Sequence, residues 1–317
     1  MVEGVIAIII TVLLIPAVIV LGLLFEGMDR KLHARMQERI GPPLLQPIYD
    51  FIKLFGKEQL VPEESASLIF SITPVIAAIC PIISSVVTLS AVIFRVTFMG
   101  DIILILYLIN MPSIMYAIGG ASSGNPYGAI GFSRSLTMML SYELILIMSL
   151  VLTVFKTDFT LASYTIIQVQ ESLNTAMVCA YPSMLFAAAS FLVCIPAAVA
   201  VVPFDIPEAK TEIAHGPLIE YTGSHLALMK LSKTMLAFNL TVLSTIIFFN
   251  HPLVFSWGGV YVSVLIRLLI AFVVMFFTIT LPRTIFARSK PYQAFKFYWH
   301  MPFILILVSI FFVMIGM

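Results

Sequence analysis

The sequence predicts an all-α polytopic membrane protein with about eight transmembrane helices and amphipathic helices at the cytoplasmic interface. Of its 317 residues, 61% are apolar and only 10% charged, against roughly 25% charge in a soluble domain. Mean hydropathy is +1.08. Apolar runs recur at a length that spans a bilayer, which takes about 20 residues per helix. The net charge of +1 points to no nucleic acid and no strongly acidic partner.

The runs fall at about 5–25, 67–94, 101–119, 137–155, 176–201, 226–250, 259–281 and 301–316. The first starts after Glu3 and continues to Phe25 with no basic start and no small-residue cleavage site, so it reads as a span and not as a cleavable signal. Loop 1, residues 26–66, reads as two short surface helices. In the first, Met28, Leu32, Met36 and Ile40 recur every fourth residue, and Gly41-Pro42-Pro43 stops it. In the second, Leu44, Leu45, Ile48, Phe51, Ile52 and Phe55 form an apolar stripe opposite Gln46, Asp50, Lys53 and Lys57. Both suit a helix lying in the membrane interface, as a lipid anchor or as a platform for a soluble partner.

The glycine-rich segment from Gly119 to Gly128 lacks G-K-[ST], so it is a lid or a close-packing loop and not a nucleotide loop. Glu143 lies about seven residues into the fourth span, roughly 10 Å below its end. An ionisable group there needs a partner or water, so it is a structural ion pair or a protonatable relay site. Lys230 and Lys233 open the sixth span, to snorkel or to pair with the preceding loop. Arg267, near the middle of the seventh, reads as a fixed intramembrane counter-ion. The last loop mixes Arg288, Lys290 and Lys296 with Tyr292, Tyr298 and Trp299, an interfacial belt. Cys80, Cys179 and Cys194 are widely spaced in apolar runs and read as small core residues, with no metal or disulfide framework. With no internal repeat or low-complexity linker, 1–317 reads as a single membrane domain.

Orientation follows from the basic residues. Loops after the odd-numbered spans carry Arg30, Lys31, Arg35, Arg39, Lys53, Lys57, Arg134, Lys210, Arg283, Arg288, Lys290 and Lys296; the opposite loops carry Arg95 and Lys156. The odd-numbered loops are therefore expected in the cytoplasm and both termini outside.

The acidic loop, residues 203–224, concentrates Asp205, Glu208, Glu212 and Glu220 beside the bilayer. Asp205 is placed to cap a short helix, with Glu208 completing a capping-box-like pair. His215-Gly216-Pro217 ends that helix. Glu208 and Glu212, at i and i+4, are expected on one face, where they repel and can hold a proton.

The run Pro203-Phe204-Asp205-Ile206-Pro207-Glu208-Ala209, with Glu212 and Glu220-Tyr221-Thr222-Gly223, resembles the signature of the subunit 1/H family of respiratory complex I and of membrane-bound, energy-converting hydrogenases. Glu26, Arg30, Gln37-Glu38-Arg39-Ile40-Gly41-Pro42, Leu45-Gln46-Pro47, Lys57-Glu58, Ser133-Arg134 and Ser141-Tyr142-Glu143 resemble it too. The resemblance covers residues 20 to 300 and implies a membrane anchor and coupling subunit of an oxidoreductase complex. It implies an ion pathway through Glu143, Glu208, Glu212 and Glu220 with Asp205. Arg30, Arg35, Arg39, Arg134, Asp50 and Lys53 would face the redox subunits, and Lys230, Lys233 and Arg267 would be counter-ions. The implied partners are peripheral iron–sulfur and catalytic subunits, antiporter-like membrane subunits and the lipid bilayer, in the plasma membrane. This chain would bind no cofactor; iron–sulfur clusters and a nickel–iron centre would sit in partners. The sequence departs from complex I members at Ala198 to Val202, where they carry an acidic-Thr-Asn-Arg stretch, and this favours the hydrogenase type. The open alternatives are the quinone-binding 1/H subunit of respiratory complex I, the equivalent subunit of a sulfur- or formate-linked relative, a stand-alone secondary transporter, and a purely structural anchor.

Overall fold

A computed structural model describes residues 2–95, 100–250 and 259–316, with backbone alone for 2–12 and 259–261. In chain order the helices are α1 (Val2–Met36), α2 (Gln46–Phe55), α3 (Ser67–Ile93), α4 (Asp101–Ser122), α5 (Pro126–Lys156), α6 (Ser163–Leu173), α7 (Met177–Ala180), α8 (Pro182–Ala198), α9 (Lys210–Ile213), α10 (Gly223–Phe248), α11 (Gly259–Met275), α12 (Leu281–Ile285) and α13 (Pro291–Met314). There is no strand among the described residues. Six segments among the described residues are long and apolar enough to cross a membrane: α3, α4, α5, α10, Val262–Ile285 and α13. The shorter apolar α8 and the 35-residue α1 occupy the other two expected positions.

Helix α10 is the hub. Its apolar window is 89% buried, against 22% for α13, and it packs on α1, α2, α3, α8 and α11. On its α3 face, buried Asn239 donates to Ser84 at 2.6 Å and accepts from Thr88 at 3.3 Å, the polar tie expected between helices in lipid.

Several boundaries differ from the sequence reading. The first surface helix is not separate: α1 continues to Met36, because no breaker precedes Gly41. Helix α5 starts at Pro126, with Asn125 accepting from the Tyr127 amide at 2.9 Å, so its polar first turns extend the apolar run. Helix α13 likewise starts at Pro291. The fifth span is broken at Tyr181 and restarted by Pro182. The seventh contains a π-turn, Phe276–Thr280, before Pro282, whose missing amide leaves a gap in the ladder. Helix α6 has no counterpart among the expected elements. Its buried Gln170 donates to the carbonyls of Ile246 at 3.0 Å and Ile247 at 3.2 Å, satisfying the end of α10. Cys194 is buried but Cys179 is exposed on α7, so the core reading fails for Cys179. Among the described residues no three His, Cys, Asp or Glu side chains converge as metal ligands would.

Loops after the odd-numbered spans share one face. The Ala66 amide donates to Ser122 O at 3.0 Å, Asn125 reaches Glu220, Arg288 reaches Asp205, and Arg283 reaches Asp29. The glycine-rich segment packs closely, as one of its two readings required. A Cβ on Gly128 would lie 2.5 Å from Gly120 O, and one on Gly131 would lie 2.5 Å from Cδ of Pro217.

Gly131→Ala should therefore displace the Pro217 turn and cost about 1–3 kcal/mol, the usual cost of overpacking. Gly56→Ala, where the nearest atom is 3.8 Å away, is the control. Thermal unfolding in detergent should show a lower midpoint for the first variant only.

Candidate functional site

After α8 the chain crosses the shared face as two 3₁₀ turns, Ile206–Glu208 and Gly216–Leu218, separated by the single turn of α9. The expected continuous helix does not form. Ala209, at φ −53° and ψ 90°, breaks it, so Glu208 and Glu212 do not share a face. A helix of two turns is marginal on its own, and each carboxylate instead turns to a cation on a different helix. The stop is where the sequence puts it: Ala214, His215 and Gly216 all have positive φ.

Asp205 is not a side-chain cap. It accepts a two-pronged contact from Arg288, Nε to Oδ1 at 2.7 Å and Nη2 to Oδ2 at 2.5 Å, while Arg288 Nη1 donates to Thr211 Oγ1 at 3.1 Å. The planar fork of a guanidinium matches a carboxylate better than a lone backbone amide does. That fork holds the Arg288 proton more tightly than usual. Burial, then the charge of Lys210, holds the His215 imidazole below its usual range.

Glu208 accepts from Lys233 Nζ at 2.9 Å through Oε2, and the same ammonium donates to Ala200 O at 2.9 Å. Lys233 thus pairs with the preceding loop, one of its two expected fates. Glu212, more exposed, accepts from Arg134 at 2.5 Å. Glu220 accepts from Asn125 at 2.7 Å. Glu143, roughly midway along α5, accepts from Asn110 of α4 at 2.9 Å. The four glutamates are thus held separately and are not a mutual cluster.

Glu208 and the segment of Glu143 meet across a cavity of about 40 Å³. Its polar lining is Ser113, Tyr116, Ser135, Tyr142, Glu208 and Lys233. Tyr142, next to Glu143, hydrogen-bonds Ser113 at 3.0 Å. Asn110, Ser113, Asn125 and Ser135 escape the sequence reading, since an uncharged polar residue in a helix carries little signal.

A second charged group joins α1, α2 and α10. Arg30 donates to Glu26 and, at 2.8 Å, to Asp50; Gln46 donates to Asp50 at 2.9 Å, and Thr234 to Glu26 at 2.5 Å. The void beside it is about 20 Å³. Burial alone would raise the Asp50 pKa, but hydrogen bonds from Arg30 and Gln46 outweigh it and hold the carboxyl below its usual range. Asp29 accepts from Thr280 at 2.6 Å and Arg283 at 3.0 Å. Arg35, Arg39, Lys53 and Lys230 are exposed. Arg267 is buried, its Nε donating to Asn250 Oδ1 at 3.0 Å.

A sequence model of the NADH dehydrogenase family matches residues 8–314. The chain is 32% identical over 223 residues to hydrogenase-4 component C of Escherichia coli (strain K12), covering 68% of each chain. It is 35% identical over 228 residues to the H-type membrane subunit of the NADH-quinone oxidoreductase of Thermomicrobium roseum, covering 65% of this chain and 67% of that one. A chain in the solved structure of the membrane-bound sulfane sulfur reductase, an archaeal respiratory membrane complex, superposes with TM-score 0.82 at 27% identity, covering 96% of this chain and 98% of that one.

Because the Asp50 pKa is depressed on folding, its stabilisation is present at neutral pH and is lost as pH falls below about 4. Asp50→Asn should lower the thermal midpoint at pH 7, and the gap from the parent protein should close on acidification.

Proposed function

The chain belongs to the NADH dehydrogenase family, in its subunit 1/H branch, and from that premise we propose how it couples redox chemistry to ion movement. It is a multi-pass membrane subunit of an oxidoreductase complex. In the proposed scheme, electron transfer in a peripheral arm changes the charge near the acidic loop. Glu208 takes up or releases a proton in response, and the proton passes through the cavity toward Tyr142 and Glu143. From Glu143 the change is relayed to antiporter-like partners that move H⁺ or Na⁺.

The observation that carries this reading is Glu208 itself. One oxygen is pinned to Lys233 and the other lines a cavity shared with Tyr142. Half-buried Glu143 supports a lateral partner, since a carboxylate at membrane depth facing lipid would cost several kcal/mol. Exposed Arg35, Arg39 and Lys53 suit the contact with the peripheral subunits, whereas Arg30, Asp50 and Arg134 already have partners within the chain. The shared loop face would be cytoplasmic, in the plasma membrane, with both termini outside.

Iron–sulfur clusters, and a nickel–iron centre in a hydrogenase-type complex, would belong to partner subunits. This chain's three widely spaced thiols cannot supply the four cysteines such a cluster takes. The sulfur-linked reading draws support from the sulfane sulfur reductase likeness. Nickel in the purified complex supports the hydrogenase type; nickel-free complex that reduces sulfane sulfur supports the second reading.

Glu208→Gln and Glu143→Gln should leave the complex assembled and slow ion translocation by about a hundredfold, the low end for a proton-transfer group. The check is ion uptake per electron in sealed vesicles, and normal uptake by both variants overturns the pathway.

A further inference from the structure

We propose that Ser135 is the inner port of a short water relay that starts at Glu208, an inference that rests on the pathway above. Two buried polar atoms among the described residues have no protein partner and line the same cavity, Glu208 Oε1 and Ser135 Oγ. Ser135 is 7% exposed. A buried polar atom left unpaired costs about 1–3 kcal/mol, and water bridging the two satisfies both. At about 40 Å³ the cavity has room for roughly two or three waters, each needing about 10–15 Å³.

Ser135 is an exception on its own helix. Ser133, Thr137, Ser141, Ser149 and Thr153 of α5 all donate to a carbonyl three or four residues earlier. Hydroxyls in helices usually settle that way. Ser135 alone of the α5 serines and threonines makes no such bond and keeps donor and acceptor free for the cavity. Glu208 is complementary. Lys233 fixes it by Oε2, and Lys233 is itself tied to Ala200 O, so Oε1 is held toward the void.

The transfer conserves charge and bonds. The proton leaving Glu208 Oε1 breaks one O–H bond there and forms one on a cavity water. That water passes a proton to Ser135 Oγ as the Ser135 hydroxyl gives its own toward the Ser113 and Tyr142 hydroxyls lining the same space. Ser135 therefore acts as a positioning residue that orders water.

The test uses the intact complex in sealed vesicles with Ser135→Thr and Ser135→Val, which match in volume and differ by the hydroxyl, beside Glu208→Gln. Protons moved per electron and the solvent deuterium isotope effect are read. Ser135→Val should lower translocation roughly tenfold and enlarge the isotope effect, and Ser135→Thr should restore both. Translocation by Ser135→Val equal to that of Ser135→Thr overturns the port. If Glu208→Gln still uncouples in that case, the pathway stands without Ser135; if Glu208→Gln also translocates normally, the pathway falls with it.

Discussion

A carboxylate at the edge of a bilayer must find a cation or a set of donors, and that requirement shapes the acidic loop. Between α8 and α10 the chain has little regular structure of its own. Lys233 from α10, Arg134 from α5, Arg288 from the segment before α13 and Asn125 before α5 each take one acidic side chain. These ties differ in weight. Glu212, with 45% of its side chain exposed, gains little from Arg134, because solvent-exposed pairs contribute about 0–1 kcal/mol. Asp205 and Glu208, at 15% and 14%, depend on their partners far more, since an uncompensated buried charge is strongly destabilising.

The bundle is built to hold those partners still. Tyr221 stacks on Phe70 at 4.1 Å, and its hydroxyl meets Thr73 at 2.9 Å, which fixes the end of the loop to α3. Gly120, Gly128 and Gly131 let α4 and α5 close on Pro217. On the other flank, Asp29 ties α1 to the π-turn and Arg283, and Arg288, five residues on, ties the same segment to Asp205. The loop thus sits on rigid elements while one oxygen of Glu208 stays open to the cavity.

Much of this is legible in the sequence. The apolar runs locate the helices, the bias in basic residues matches the loops that share a face, and the Pro-Phe-Asp run marks the family. What fails is local inference about the acidic loop. Spacing puts Glu208 and Glu212 on one helix face, and capping rules give Asp205 a backbone partner. Both rules treat the loop as isolated, whereas cations 25 to 83 positions away in sequence decide its path. A change in polarity separates the run from Glu26 to Met36 from the first span, yet a helix can leave the bilayer without breaking. Ser135 and Asn110 carry no sequence signal, because their roles exist only once helices are packed.

The account turns on whether carboxyl groups of this chain change protonation when the complex turns over. Infrared difference spectroscopy of the intact complex, triggered by reduction of its redox centres, measures that directly. The account predicts a protonated-carboxyl signal that is lost in Glu208→Gln and altered in Glu143→Gln. A carboxyl signal unchanged in both variants, or none at all in a complex that still translocates ions, would contradict it.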